Sequence, residues 1–341
     1  MNIQEELKSL YKQKDKGLFS SETDGYWSNL SKEENTKLLS AVDVLSTREA
    51  LIKYQPKLED VIYSPKRAAG LELLGLTGDE FCIDYGCMWG ALTIPLAKRV
   101  AHVLGVDQTE DSLKFLQARA REEGLQNIDL LRADLRKLPL LEAKADVGII
   151  NGVLEWIPEN GQIALKDYYG KHSSKTYSGN PQEKQQSFLK RAFDNLKQNG
   201  RLFVAIENRY DFKMFMGVKD PHANLMFTSF LPRALANVIS KVKLGRPYVN
   251  WIYSFSGLKE LLLNSGASSV ELYMCFPNYQ FPDQIIPLEK GLSQFRPTIT
   301  VGDTVGARKL KRYFGRAVEK TLFKSLQCKQ LSPSIIAIAY K

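Results

Sequence analysis

The chain predicts an α/β protein, an open and mostly parallel β-sheet with helices on both faces. Three observations carry this expectation. From residue 80 onward short apolar runs alternate with stretches of helical length, and strands separated by helices pair in parallel through crossovers. The first such run, EFCIDYG, leads into a tight glycine turn at Gly86 and a second glycine at Gly90. The composition, 44% hydrophobic and 25% charged over 341 residues, is that of a chain able to bury one large core with insertions, or two domains.

Taken in order, residues 1–62 are polar and helix-prone and predict a helical N-terminal extension. In SPKRAAGLELLGL, Pro65 can open a helix after Ser64, Leu71, Leu73 and Leu74 supply an apolar face, and Gly75 can end it. The first strand closes on Asp84. Gly86 then allows a sharp turn with the backbone close to a ligand, and Gly90 lets the following ALTIPLAKRV segment pack closely on the sheet. A dinucleotide fingerprint GxGxxG would need glycine at position 88, which is Met88 and is followed by Trp89; Ala91 alone fits. The loop therefore favours a cofactor without a pyrophosphate.

The second strand, HVLGVD, places Asp107 21 positions beyond Gly86, near the spacing at which a carboxylate accepts both hydroxyls of an unphosphorylated ribose. A helix over 109–123 follows. The third strand, in NIDLLRADL, delivers Asp134, a carboxylate able to accept an exocyclic amine of adenine. The fourth, ADVGIING, ends at Asn151 and Gly152; a helix over 183–197 and the strand GRLFVAIEN complete the series. Ligands of such sheets bind at the carboxyl ends of the strands, so Asp84, Asp107, Asp134 and Asn151 face one crevice.

Composition excludes several classes. No run approaches the roughly 18–20 apolar residues of a membrane span, and MNIQEELKSLYKQKDKG lacks the apolar core of a signal peptide, so a cytoplasmic location is expected. Cys82, Cys87, Cys275 and Cys328 have no CxxC spacing, which argues against structural zinc, and no metal is expected. The net charge of +9 admits an anionic partner, but lysines and arginines are scattered. The densest cluster, ARKLKRYFGR at 307–316, has the spacing of a solvated helix face.

The motifs DYGCMWG, GVDQT, RADL and ADVGIINGVLEWI resemble, in order and spacing, those of class I S-adenosylmethionine-dependent methyltransferases, over roughly residues 64–207. That resemblance implies S-adenosylmethionine as cofactor and a Rossmann-like, seven-stranded, mostly parallel sheet with an antiparallel last strand. It sets Asp84 and Gly86 against the methionine part of the cofactor, Asp107 at the ribose, and Asp134 with Leu135 at the adenine. Cys87, Gly90, Gln108, Ala133, Asn151 and Gly152 stand beside them. ASSVELYMCF at 267–276 and SPSIIAIAYK at 332–341 supply the sixth and seventh strands, and long insertions follow strands five and six. The expected organisation is an extension at 1–62, a cofactor-binding core at 63–207, a substrate-binding or lid insertion at 208–266, and C-terminal core strands with a basic helical insertion at 267–341.

The first insertion is rich in groups suited to a polar acceptor. ENRYDFKMFMG followed by DPH resembles the segment after the fifth strand in methyltransferases of bacterial glycan and specialised-metabolite pathways, which implies a small or carrier-linked hydroxylated acceptor such as a sugar. Methylating an alcohol requires removal of a proton. His222 is the expected base because imidazole titrates near neutrality, with Asp220 or Glu207 to orient it. The competing reading makes DPH a turn with Asp220 capping and His222 exposed. Asn208, Arg209, Tyr210, Lys213, Trp251 and Tyr253 are the candidate acceptor contacts; Phe255 can line the same pocket as Trp251 and Tyr253, with a core position as the competing reading for all three aromatic residues, and His102 and His172 fit structural or solvated positions. NGVLEWI lacks the Pro-Pro-aromatic element of amino-methylating nucleic-acid enzymes, and no Pro-Cys nucleophile is present, which argues against nucleic acid. An RNA or DNA methyltransferase, a non-catalytic scaffold of the same fold, and an NAD-dependent dehydrogenase are the alternatives; Met88 and Asp84 disfavour the last. Isothermal titration separates them: micromolar binding of S-adenosylmethionine or S-adenosylhomocysteine, lost in Asp107→Ala, with no binding of NAD, is the expected outcome. Absence of binding by the wild type would leave the scaffold reading.

Overall fold

The structure is a computed structural model, described here for residues 3–21, 23, 25–138, 140–159, 162–164, 179–298 and 315–341. The N-terminal segment carries β1 (Lys12–Asp15), β2 (Leu18–Ser20) and β3 (Tyr26–Ser28). The parallel series is β4 (Phe81–Tyr85), β5 (His102–Asp107), β6 (Ile128–Arg132), β7 (Ala145–Asn151) and β9 (Leu196–Glu207), with the short β8 (Gln162–Ala164) between the last two in sequence. β10 (Ser269–Phe276), β11 (Gln284–Pro287) and β12 (Ser334–Tyr340) complete the set.

One ten-stranded sheet runs β1-β2-β6-β5-β4-β7-β9-β12-β10-β11, and β3 pairs separately with β8. All seven strands read from the sequence are present. β12 lies antiparallel to both β9 and β10, which makes it the expected antiparallel last strand. Its run SIIAIAY is buried along almost its whole length because it is inserted between two partners and covered on both faces.

Period-two alternation divides the core into two layers. Along β9, Leu202, Val204 and Ile206 join the cluster beneath the helices Pro181–Asp194 and Phe255–Leu263, through Phe188, Phe193 and Leu258. Phe203 and Ala205 point to the opposite cluster, with Leu71, Leu74 and Leu96. The helix Glu110–Glu122 falls where its apolar spacing predicts, and Pro181–Asp194 starts and ends slightly earlier than 183–197 because β9 already begins at Leu196. Phe255 packs in the core.

Two expectations are corrected. The N-terminal extension is only partly helical: it begins with the helix Ile3–Leu10, and its helices Lys32–Val42 and Thr47–Tyr54 open on capping boxes, Ser31 with Glu34 and Ser46 with Glu49, but the chain between Lys12 and Ser28 forms the strands β1 to β3. β2 pairs in parallel with the otherwise open edge of β6 and buries Leu18 and Phe19, so the core sheet recruits the extension. Residues Pro65–Leu74 form 3₁₀ turns rather than an α-helix, although Gly75 ends them in the left-handed conformation (φ 53°) as its position suggests. His172 and residues 307–314 of the basic cluster lie outside the described residues. Among those described, no helix is long and apolar enough to cross a membrane.

Gly90 (φ 79°) is where the loop after β4 meets the helix Glu110–Glu122: an added Cβ would stand 2.2 Å from Cδ1 of the buried Leu116. Gly90→Ala is expected to destabilise the protein by about 1–3 kcal/mol through overpacking and backbone strain, read as a lower urea midpoint with an unchanged slope. An unchanged midpoint would show that the loop relaxes freely.

Candidate active site

The loop after β4 is shaped by close approach. Asp84 is buried at the strand end, and its Oδ2 accepts a hydrogen bond from Thr93 Oγ1 at 2.6 Å. At Gly86 (φ 76°) a Cβ would lie 2.5 Å from Val153 Cγ2, so only glycine lets the turn sit against the loop after β7. Met88 adopts the left-handed region (φ 46°), at a cost of about 1–2 kcal/mol for a residue with a Cβ. Its N–H donates to Asp107 Oδ2 at 3.0 Å, which holds that conformation. Trp89 packs against Phe115, with ring centroids 5.9 Å apart, and its carbonyl accepts from Arg119 Nη1 at 2.7 Å.

The strand ends open on a cavity of about 320 Å³, within the usual range for a small-molecule site. Asp84, Gly86 and Cys87 line it from the first loop, Asp107 and Gln108 from the second, Asp134 and Leu135 from the third, and Asn151 and Gly152 from the fourth. Gly90 and Ala133 do not reach the wall. Gly90 packs on Leu116, and the buried Ala133 donates its N–H to the Asp107 carbonyl. The cavity is also lined by Trp27 and Asn29 from the N-terminal segment. Trp27 is tied to the core by a reciprocal pair, its N–H donating to Thr109 Oγ1 at 2.8 Å and its carbonyl accepting from that hydroxyl at 2.7 Å.

The wall is strongly acidic. Burial pushes the carboxyls of Asp84 and Asp107 up to about 6, against hydrogen bonds from Thr93 in the first case and from Thr109 and Met88 in the second. Burial also raises Asp134, but its two oxygens accept a bidentate fork from Arg136 (2.8 and 2.7 Å), and the net shift is downward. Arg67, on the same wall, has Nε and Nη1 buried without hydrogen-bond partners. These features fit S-adenosylmethionine: carboxylates for a cationic sulfonium and a ribose diol, and an orphaned guanidinium for the amino-acid carboxylate. They fit a pyrophosphate poorly. Arg67 was missed in the sequence, where one arginine before the first strand carries no distinguishing pattern.

A second group of charges converges on the β7 and β9 side. Glu155 lies in the turn after β7, Glu207 ends β9, and His222 comes from the insertion; all three line the cavity. His222 Nε2 lies 3.5 Å from Glu155 Oε1 and 3.6 Å from Glu207 Oε2, and its Nδ1 lies 3.4 Å from Asp220 Oδ1. The ring meets Trp156 edge to face at 5.2 Å. Asp220 is behind this ring, buried, and accepts from Tyr248 Oη at 2.6 Å and from the His222 N–H at 2.8 Å. His222 is therefore not the exposed residue of a surface turn. Nor is it a neutral base near pH 7 in this arrangement: burial disfavours its charge, but Glu207, Asp220 and Glu155 outweigh burial and hold its pKa well above the ordinary value. The group poised near neutrality is Glu207, raised by burial to about 7 against the attraction of His222. Glu155 was not singled out in the sequence, although it stands in the quoted NGVLEWI motif.

The six candidate acceptor contacts do not line the cavity. Asn208 Nδ2 donates to the carbonyls of Gln330 and Ser332, and Arg209 to those of Ser229 and Leu231. Tyr210 lies beneath the Arg209 guanidinium, and Lys213 pairs with Asp211 at 3.2 Å. Trp251 Nε1 donates to the Tyr248 carbonyl, and the Tyr253 hydroxyl to Gln185 Oε1. Asn208 thus serves the stretch before β12, Tyr253 the helix Pro181–Asp194, and Arg209, Lys213 and Trp251 the insertion itself, in place of the expected contacts with the cavity. His102 pairs with the buried Asp129 at 3.0 Å, a structural position.

Because Asp84 and Asp107 each need to be ionised to attract a sulfonium and accept a diol, affinity for S-adenosylmethionine is expected to rise with pH through about 6. A drop from pH 7 to pH 5 protonates a group of pKa about 6 and should weaken binding by about tenfold or more, measured by isothermal titration. Affinity independent of pH over that window would show that neither carboxylate carries the binding.

A methyltransferase-domain family model matches residues 77–250, just over half of the chain. A 77-residue segment is 39% identical to 23S rRNA (uracil(1939)-C(5))-methyltransferase RlmD of Hahella chejuensis, covering 23% of this chain and 17% of that protein. A 90-residue segment is 32% identical to ubiquinone biosynthesis O-methyltransferase of Acinetobacter baumannii, covering 26% of this chain and 38% of that protein. The matched segments thus span well under half of these curated relatives. Among solved structures, S-adenosylmethionine-dependent methyltransferases from Mesorhizobium loti (14% identity, TM-score 0.44, 82% of this chain and 100% of that one) and Archaeoglobus fulgidus (13% identity, TM-score 0.43, 84% and 100%) are similar to it. With the family model spanning the strand-end loops whose acidic wall fits the cofactor, the chain belongs to the S-adenosylmethionine-dependent methyltransferases.

Proposed function

We propose that this methyltransferase acts on a hydroxyl, in preference to an amine, of a small or carrier-linked metabolite such as a sugar. The observation that carries the reading is the convergence of Glu155, Glu207 and His222 on the cavity, on the opposite side of β4 from Asp107 and Asp134. S-adenosylmethionine, when bound, supplies an electrophilic methyl group on sulfur. This chain's residues must then align the acceptor and manage its proton. A hydroxyl needs that help, whereas a free amine carries its own lone pair. The cluster holds ionisable groups where a proton can be taken up, and the Trp27 and Trp156 rings, 5.4 Å apart edge to face, narrow the site beside it.

An RNA acceptor is the second reading, favoured by the segment similar to the rRNA uracil-C5 enzyme. Two features weigh against it. An acidic wall repels a phosphodiester backbone. Carbon methylation of a pyrimidine also needs a thiolate, whereas Cys87, the cysteine on the cavity wall, is buried and its thiol is pushed well above the ordinary value by desolvation and by Asp107 and Asp84.

Transfer of tritium from methyl-labelled S-adenosylmethionine tests the reading on matched pools of hydroxylated small molecules, carrier-linked glycans and total rRNA. Label is expected in the hydroxylated pools. Glu207→Gln should lower kcat by about 10²–10⁴-fold while leaving cofactor affinity within about threefold. Label confined to acid-precipitable RNA would overturn the proposal.

A further inference from the structure

The spacing inside the acidic cluster is unusual for a hydrogen-bonded network. The contacts of His222 Nε2 with Glu155 and Glu207, at 3.5 and 3.6 Å, are longer than the ordinary 2.7–3.2 Å of an N–H···O bond. One ligand atom from each residue falls within 4.8 Å of the others. Ligand atoms about 2.0–2.2 Å from a shared ion lie about 3.0–3.5 Å from one another in octahedral or tetrahedral geometry, and the two contacts of His222, at 3.5 and 3.6 Å, stand at the upper edge of that range.

The unsatisfied atoms point the same way. Glu155 is 1% exposed and lines the cavity, yet its Oε2 has no hydrogen-bond partner; Glu207 Oε2 is also buried without one. Among the described residues no lysine or arginine forms an ion pair with either carboxylate. Counted with Asp220, three carboxylates surround one imidazole, which leaves an excess of negative charge at a largely buried end of the cavity. Asp220 stands behind the ring at Nδ1, itself anchored by the Tyr248 hydroxyl and two backbone N–H groups. A carboxylate on the far nitrogen is the arrangement that orients and strengthens a metal-binding histidine.

We infer that Glu155, Glu207 and His222 bind one divalent cation of the class that takes nitrogen and oxygen ligands, such as Mn²⁺ or Zn²⁺, with open positions toward the cavity. Such an ion balances the excess charge and completes both orphaned carboxylates. The inference rests on the proposed acceptor end of the cavity, where it names how the hydroxyl is ionised. An acceptor oxygen held by the cation loses its proton to water and keeps the electron pair of the O–H bond. That pair then forms the bond to the methyl carbon as the carbon–sulfur bond breaks, its electrons passing to sulfur and leaving S-adenosylhomocysteine. His222 then serves as a ligand through Nε2, the ion taking the place of the proton between Glu155 and Glu207, while Nδ1 stays beside Asp220.

The test is calorimetric titration of the metal-stripped protein with MnCl₂ and, separately, ZnCl₂, each paired with a titration of S-adenosylmethionine. Binding of one ion per chain is expected. Asp220→Asn should weaken it by about 10–100-fold and Glu155→Gln or Glu207→Gln by more, with cofactor affinity within about threefold of the wild type as the control for folding. Failure of both ions to bind at millimolar concentration while the cofactor binds would overturn the cation site and leave the methyltransferase reading standing. So would ion binding that is unchanged in all three variants. Ion binding lost in the variants, in a wild type that does not bind the cofactor, would support the cation site and remove the acceptor-ionising role assigned to it.

Discussion

The pairing of β4 between β5 and β7 is the constraint on which the rest depends. β4 aligns Asp84 with Gly105 on one side and with Ile149 on the other, and the strand order reverses there. Crossovers leaving such a point diverge to opposite faces, so a crevice opens at the carboxyl ends that no helix can fill. Every acidic side chain on the cofactor wall hangs from this register. A slip of β4 by one residue would exchange its two faces and turn Asp84 away from the crevice.

Desolvation follows from the same geometry. Carboxylates at the base of a crevice lose water, and each remains tolerable only because donors were built beside it: Thr93 for Asp84, Thr109 and Met88 for Asp107, Arg136 for Asp134. The left-handed Met88 shows how the two requirements combine. Its strained backbone delivers the N–H that Asp107 needs, and a cationic ligand then relieves the charge those donors only partly balance. The N-terminal segment closes the other side through Trp27 and Thr109, so the extension is part of the site rather than an appendage to it.

Much of this was legible in the sequence where local pattern and chemistry coincide. The seven core strands are apolar runs at βαβ spacing, and the aspartates that end three of them are short, charged and placed where a parallel sheet binds ligands. The polar residues after β9 misled for a physical reason. Irregular segments carry many backbone carbonyls needing donors, and Asn208 supplies them to the stretch before β12 and Arg209 to the insertion, so polarity there reports internal satisfaction rather than contact with an acceptor. β2 and β3 are three residues each, too short to show a period, and they exist because β6 and β8 offer open edges.

The sequence by itself determined the elements whose cause is local: strand runs, helix caps, the Gly86 turn and the strand-end carboxylates, together with the family those motifs mark. Tertiary structure alone decided which distant charges meet. Arg67, Glu155, Glu207 and His222 come from four separate stretches, and only packing around the sheet brings them to one cavity. The charge state of His222 belongs to the same class. An imidazole is near neutral in isolation, and burial against carboxylates from β7, β9 and its own loop is what changes it, because electrostatic energy depends on distance and dielectric rather than on position along the chain.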